Sequence, residues 1–109
     1  MAPLDQVIFD ELKDLMDGEI DEIVELYIND SREQIAQLQT SVDSNNLTNM
    51  IAIAHTLKSS SANLGAMNLA KLCEQMENKG RDNRLENPVS LLSEIIEELS
   101  RVEDKLNAS

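Results

Sequence analysis

The sequence contains little of what β-sheet proteins and loop-rich proteins are made from. Among its 109 residues there is no Trp, one Phe and one Tyr, with only three Gly and two Pro. Strands are enriched in aromatic and β-branched residues, so the shortage of aromatic residues disfavours a β-sandwich or a barrel. Scarce Gly and Pro mean few turns, and an aliphatic core with few turns favours a small number of long helices. We expect one domain, spanning residues 1–109, with a single hydrophobic core.

Positive charge is also scarce, and this argues against several kinds of partner. Nine Lys and Arg stand against 21 Asp and Glu, which gives a formal net charge of −12. Nucleic acids and anionic membrane surfaces both attract basic proteins, so we expect neither as a partner. No apolar run is long enough to span a membrane, and the acidic first residues do not resemble a signal peptide. The lone Cys73 cannot form an internal disulfide, which suits a reducing compartment. We therefore expect a cytoplasmic protein, and we expect it to be monomeric.

Hydrophobic periodicity and helix-end signals divide the chain into five helical segments. They are predicted at about residues 5–16, 19–42, 47–64, 67–79 and 88–106, with Gly65 and Gly80 ending the third and fourth. Asn87-Pro88 is typical of an N-cap followed by the first helical residue. The apolar stripe of the first segment is predicted to consist of Leu4, Ile8, Leu12 and Leu15. Short connections imply antiparallel neighbours, so the sequence predicts an all-α fold, an up-down four-helix bundle with an additional short N-terminal helix.

The only histidine, His55, lies in the third segment. At about 100° per residue, the core-facing positions of this segment are predicted to be Met50, Ala54, Leu57 and Ser61. His55 is then at the rim of the core face, with Lys58 one turn further on and the small residues Ser59 and Ala62 beside it. A histidine with an uncovered ring can accept a phosphoryl group on a ring nitrogen, and a nearby lysine can stabilise the added negative charge. A lone helical histidine is more often an ordinary surface residue, and this spacing leaves both interpretations open.

Acidic residues are absent from the part of the chain around His55. None of the 21 falls between Ser44 and Cys73, whereas nine lie between Asp5 and Glu25. Carboxylates beside a phosphorylated histidine would destabilise it by charge repulsion. We therefore expect the surroundings of His55 to be free of carboxylates.

The run AHTLKSSSANLGA, residues 54–66, resembles the motif of histidine-containing phosphotransfer (HPt) domains of two-component phosphorelays. It has the histidine, a lysine at +3, a small residue at +4 and a glycine at +10. The similarity to bacterial and fungal members extends over about residues 47–81. Its further matching positions are Leu69, Leu72, Cys73, Glu74, Glu77 and the Gly80-Arg81 pair.

This resemblance implies a role for each matching residue. His55 would carry the phosphoryl group, through Nε2, while Lys58 would assist electrostatically and Ser59 would keep the ring accessible. Family members often place a polar side chain near the ring from the next helix. Here that side chain would be Glu77 or Arg81.

The resemblance also implies a phosphocarrier that has no ATP-dependent kinase activity of its own. The chain has no Gly-rich phosphate loop, and its histidine motif differs from that of dimerising sensor kinases. The implied partners are response-regulator receiver domains and a hybrid sensor histidine kinase. The receiver would supply Mg²⁺, so no cofactor or metal of the chain itself is expected. The docking face is expected on the exposed side of the second and third segments, at Ala52, Ile53 and Ala62.

Two other functions are compatible with a helical bundle. A non-phosphorylated adaptor could bind a receiver or a sensor kinase and only block it, although it would need neither His55 nor Lys58. A metal-binding bundle is less well supported, because one His and one Cys, His55 and Cys73, make no ligand set of known spacing. The sequence leaves open which receivers are partners, which way phosphate flows, and whether the chain is free-standing or a module of a hybrid kinase.

Overall fold

The computed structural model describes residues 2–83 and 88–108, and the regular structure within these residues is entirely helical. The helices are α1 (Gln6–Met16), α2 (Ile20–Asp43), α3 (Leu47–Leu64), α4 (Met67–Arg81) and α5 (Pro88–Asn107). Helix α3 packs against α2 and α4, and α5 closes the ring by contacting α4 and α2, while α1 packs on α2 and α3. This arrangement confirms the predicted up-down four-helix bundle with a short additional helix. None of the described helices combines the length and the apolar character needed to cross a membrane.

Most helix ends follow the local signals in the sequence. Asp5 caps α1, because its side chain accepts hydrogen bonds from the backbone N–H groups of Val7 and Ile8. The side chain of Asn46 accepts from the N–H of Asn49 at the start of α3. Gly65 ends α3 with a φ of +93°, in the left-handed region where glycine has no steric penalty. The predicted cap of α5, Asn87, lies outside the described residues.

Helix α4 does not end at Gly80, and the sequence prediction is wrong there. The helix continues to Arg81, and Gly80 is buried inside it. A Cβ atom on Gly80 would lie 2.5 Å from Cγ1 of Ile51 and 3.3 Å from Cε of Met50. The glycine therefore allows α4 to approach α3 closely, instead of terminating the helix. The two additional helical residues put Arg81, which is four residues after Glu77, on the same side of α4.

The packed face of α1 also differs from the predicted stripe. Phe9 is buried and Leu12 is half-buried, whereas the side of the helix that carries Leu15 faces solvent and leaves this residue 80% exposed. At 100° per residue, Leu15 lies about 120° around the helix from Phe9. A stripe drawn through Leu15 therefore misses the centre of the face, which is Phe9.

The core between α2 and α3 is aliphatic with one buried polar connection. The predicted core positions of α3 are confirmed, since Met50, Ala54, Leu57 and Ser61 are all buried. Within this core the hydroxyl of Tyr27 lies 2.8 Å from Oγ of Ser61. The bond satisfies two buried polar groups that would otherwise destabilise the core. The bond also holds α3 in one rotation relative to α2. The side of α3 opposite the core is thereby held facing outward.

Candidate functional site

His55 lies on the outer side of α3, and its neighbours in the helix pack into the core. Ala54 and Leu57 are fully buried, so the backbone of α3 at His55 is held firmly against the core. The imidazole side chain keeps 56% of its surface exposed. Ser59, one turn further along, is small and exposed. The ring is consequently open to a macromolecular partner.

A carboxylate from the neighbouring helix contacts the imidazole. Oε2 of Glu77, on α4, lies 3.1 Å from Nδ1 of His55. The side chain of Glu77 is only 5% exposed. Nζ of Lys58 lies 2.8 Å from its other oxygen, Oε1, and Arg81 donates to Oε2 from Nη2 at 2.7 Å. The structure thus brings four of the residues singled out in the sequence into one cluster, which we call the Glu77 cluster: His55, Lys58, Glu77 and Arg81.

The cations around Glu77 determine its protonation state. Hydrogen bonds from Lys58 and then Arg81 lower the pKa of Glu77 to about 2, against the opposing effect of desolvation. Glu77 is therefore ionised at neutral pH, and an ionised carboxylate can only accept hydrogen bonds. The proton in the bond to His55 must then reside on Nδ1 of the ring.

This protonation pattern determines which ring nitrogen of His55 keeps its lone pair. In a neutral imidazole with the proton on Nδ1, the lone pair is on Nε2. No hydrogen bond to Nε2 occurs among residues 2–83 and 88–108. The arrangement therefore offers an unoccupied nucleophilic nitrogen on an exposed ring, and a fixed acceptor behind it holds the ring orientation.

The expectation that His55 has no carboxylate nearby is wrong. The acid-free stretch covers α3 and the first half of α4, but Glu77 lies one turn beyond its end at Cys73 and packs back across α3. Electrostatic repulsion of a phosphoryl group does not follow, because the two cations Lys58 and Arg81 outnumber the single carboxylate. The cluster keeps a net positive charge.

The three residues predicted as a docking face do not form one patch. Ala52 and Ile53 line a groove between α2 and α3. Ala62 lines a separate groove between α3 and α4, together with Lys58 and Ser59. A third groove, between α1, α2 and α3, includes Thr56, the residue after His55, and was not singled out in the sequence. Its signal there is Leu26, an apolar residue on α2 that lies off the core-facing stripe and is 60% exposed.

Within residues 2–83 and 88–108, the side chains that commonly bind metals do not gather into a site. In the described part of the chain, no three His, Cys, Asp or Glu side chains come close enough together to hold a metal ion. Cys73, the other candidate ligand, is buried in the core, and burial raises the pKa of its thiol to about 12. A protonated, buried thiol does not bind metal.

Comparisons with known proteins connect this site to a family. The family model described as the Hpt domain matches residues 22–105, which include the whole Glu77 cluster. Multistep phosphorelay regulator 1 of Schizosaccharomyces pombe is 32% identical to this chain in an alignment of 97 residues that covers 85% of the chain and 33% of that protein. The chain thus spans about a third of the length of this relative.

Solved structures share the same architecture. Histidine-containing phosphotransfer protein B (HptB) of Pseudomonas aeruginosa superposes with a TM-score of 0.95 at 24% identity, over 97% of this chain and 92% of that one. Ypd1 of Saccharomyces cerevisiae, a histidine phosphotransfer signalling protein crystallised with the receiver domain of its downstream response regulator Ssk1, gives a TM-score of 0.71 at 26% identity. That match covers 96% of this chain and 89% of the other. The helical bundle, the exposed histidine and the family match over most of the sequence together show that this chain belongs to the Hpt domain family.

Proposed function

We propose that this chain relays a phosphoryl group between response-regulator receiver domains by carrying it on Nε2 of His55. The observation that carries the proposal is the hydrogen bond from Nδ1 of His55 to the ionised Glu77. An ordinary surface histidine has no need of a buried carboxylate to fix its tautomer, whereas a nucleophilic one does. Family membership and the receiver named with Ypd1 support the same conclusion.

The proposed reaction is an in-line displacement at phosphorus. The lone pair of Nε2 forms the N–P bond as the bond between phosphorus and the aspartyl oxygen of the receiver breaks, and the aspartate leaves as a carboxylate. The imidazole then bears a positive charge, which it shares with the Nδ1–H group that faces Glu77. Glu77 stabilises this charge as it develops. Attack by the aspartate of a second receiver reverses the step, and Mg²⁺ comes from the receiver.

Lys58 and Arg81 supply the countercharge for the phosphoryl group. Both side chains are bound to Glu77 in the unphosphorylated protein, and Arg81 keeps 57% of its side chain exposed. Their remaining N–H donors can pair with phosphoryl oxygens without releasing Glu77. The small side chain of Ser59 leaves room for the group and for the receiver's active site.

The partners and the setting follow from this role. A hybrid sensor histidine kinase would load the first receiver, so the chain acts as a phosphocarrier in the cytoplasm and hydrolyses no ATP itself. The exposed sides of α2 and α3 around His55, including Ala52, Ile53 and Ala62, would meet the receiver. A monomer suits this function, because one exposed histidine serves successive receivers in turn.

Phosphotransfer from a radiolabelled phospho-receiver tests the proposal. Wild-type protein should acquire an acid-labile, alkali-stable label, and the His55→Gln variant should acquire none while unfolding at a similar temperature, since the ring is largely exposed. The matched control is Glu94→Gln, an exposed position on α5, a helix that does not contact α3, and this variant should still be labelled. Labelling of the His55→Gln variant at the wild-type rate would refute the assignment. Receiver binding without any label on the wild type would instead indicate the blocking adaptor.

A further inference from the structure

A groove lined mostly by polar side chains lies between α4 and α5. We call it the Glu98 groove, and its lining residues are Asn68, Lys71, Leu72, Gln75, Glu98 and Arg101. Its volume is about 480 Å³, which is within the range of small-molecule sites. At 100° per residue, Gln75 lies about 160° around α4 from Glu77. The Glu98 groove and the Glu77 cluster are therefore on opposite sides of this helix.

Glu98 is the acidic group of this groove, and one of its two carboxylate oxygens has no partner. The side chain is 9% exposed, and Nη1 of Arg101 donates to Oε1 at 3.0 Å. Oε2 is buried and accepts no hydrogen bond among the described residues. Buried acceptors in native proteins nearly always have a donor, because an unsatisfied one is costly. The side chain of Arg101 is 59% exposed, so it can shift and admit an external donor to Oε2.

Two amides and one cation line the same groove. Nδ2 of Asn68 donates to the carbonyl oxygen of Ala2, which leaves Oδ1 of this amide available as an acceptor. Gln75 is exposed, so its amide can turn to offer an oxygen as well. Lys71 is also exposed and has no ion pair within residues 2–83 and 88–108. The groove thus combines several acceptors around Glu98 with a positive charge that lacks a counter-ion.

We infer that the Glu98 groove binds a ligand that carries a guanidinium group and a carboxylate, which is the chemistry of arginine. A guanidinium has five N–H donors, enough to serve Oε2 of Glu98 together with the amide oxygens of Asn68 and Gln75. The carboxylate of the ligand pairs with Lys71. Free arginine and an Arg-Asp sequence in a partner protein share these groups, and the experiment below distinguishes the two sources. The site is independent of the proposed phosphocarrier function.

Isothermal titration calorimetry with L-arginine tests the acceptor role of Glu98. Wild-type protein should bind L-arginine saturably, with a dissociation constant of about 1 mM or lower. The Glu98→Gln variant should bind at least about tenfold more weakly, because its amide replaces the ionised acceptor of a charge-assisted hydrogen bond. The control is Glu94→Gln, the same change at an exposed position one turn earlier on α5 and outside the groove, which should bind like wild type. Urea denaturation checks that both variants are folded.

Agmatine, which keeps the guanidinium group and lacks the carboxylate, tests the role of Lys71. The net charge of −12 favours agmatine, the more positive ligand, so tighter binding of L-arginine would come from its carboxylate. We expect L-arginine to bind about threefold more tightly than agmatine, and the Lys71→Gln variant, altered only at an exposed side chain, should lose this preference.

The source of the ligand is distinguished by a peptide that contains Arg-Asp and is blocked at both ends. Binding of this peptide in place of L-arginine, with the same loss in the Glu98→Gln variant, would support the site and assign it to a segment of a partner protein. Absence of saturable binding of L-arginine and of the peptide to wild-type protein, or equal affinity of wild-type protein and the Glu98→Gln variant, would overturn the inference. Neither result depends on the labelling of His55, so the proposed phosphocarrier function is tested separately.

Discussion

At the scale of single residues, the site depends on one carboxylate that serves three donors. Glu77 accepts from His55 and Arg81 through Oε2 and pairs with Lys58 through Oε1. Each contact has a separate consequence: Lys58 and Arg81 keep the carboxylate ionised, and the ionised carboxylate fixes the proton on Nδ1 of His55. In the proposed relay, Glu77 is therefore a positioning residue for His55, and the two cations act on the imidazole through it.

Replacing Glu77 with Gln separates charge from shape at this position. The amide oxygen can still accept from Nδ1, but it cannot stabilise the positive charge that develops on the ring, so we expect the rate of phosphotransfer to fall about tenfold or more. Half-buried Lys58 loses its counter-ion as well, which should lower the free energy of unfolding by about 1–2 kcal/mol. Labelling kinetics and urea denaturation measure the two effects. The control is Glu74→Gln, an exposed position one turn earlier on α4 without an ion pair in the described residues. A Glu77→Gln protein that matched this control in both assays would contradict the positioning role of Glu77.

At the scale of helices, the site requires α3 and α4 to lie very close together. These two helices pack more extensively than any other pair in the described structure, and Gly80 packs against Ile51 and Met50 where an added Cβ would clash. Only this proximity allows Glu77 to reach His55 across the interface. The distance between α3 and α4 therefore matters for the contact between Glu77 and His55 as well as for core packing.

The variant Gly80→Ala should push the helices apart. The new Cβ would lie 2.5 Å from Cγ1 of Ile51, a methylene carbon attached to the branched Cβ, and a β-branched side chain in a helix has little freedom to rotate about χ1. Overpacking of this kind costs about 1–3 kcal/mol, which exceeds the gain of about 1 kcal/mol from replacing glycine inside a helix. We expect a net loss of stability in urea denaturation and slower labelling of His55. The double variant Gly80→Ala/Ile51→Ala should recover part of the phosphotransfer rate, because it removes the clashing atom. A Gly80→Ala protein more stable than wild type would disprove the proposed clash between α4 and α3.

The sequence predicts elements better than it predicts the contacts between them. Periodicity and caps locate α3 at residues 47–64, in agreement with the structure, because those signals act within a few residues. The structural role of Gly80 cannot be predicted from the neighbouring sequence, since the atom that requires a glycine there belongs to Ile51 on another helix. The same limit explains Glu77: its place near His55 was expected only from the resemblance, while counting acids along the chain argued against any carboxylate at the site.

At the scale of the whole molecule, charge is divided between two roles. Most of the 21 acidic residues are exposed and give the chain its net charge of −12, which affects solubility and the approach of partners. A few are tied to the fold by ion pairs, such as Glu103, which accepts two hydrogen bonds from Arg32 and links α5 to α2. Acidification should act on the fold through Glu77, because the pKa of this carboxyl is lowered in the folded protein to about 2 by Lys58 and Arg81.

The pH dependence of stability therefore isolates the Glu77 cluster. The pKa of Glu77 is lowered in the folded protein from 4.5 to about 2, so its unfolded state binds a proton first as the pH falls. Its stabilising contribution is complete above pH 4.5 and is lost progressively as the pH falls towards about 2. Wild-type protein should thus exceed the Glu77→Gln variant in urea-denaturation midpoint at pH 7, and the difference should shrink from pH 4.5 downwards. The two proteins differ only at residue 77, so the pH-dependent part of this difference reports Glu77 and its ion pairs. A difference that stayed constant from pH 7 to pH 2 would show that the carboxylate is not held ionised by Lys58 and Arg81.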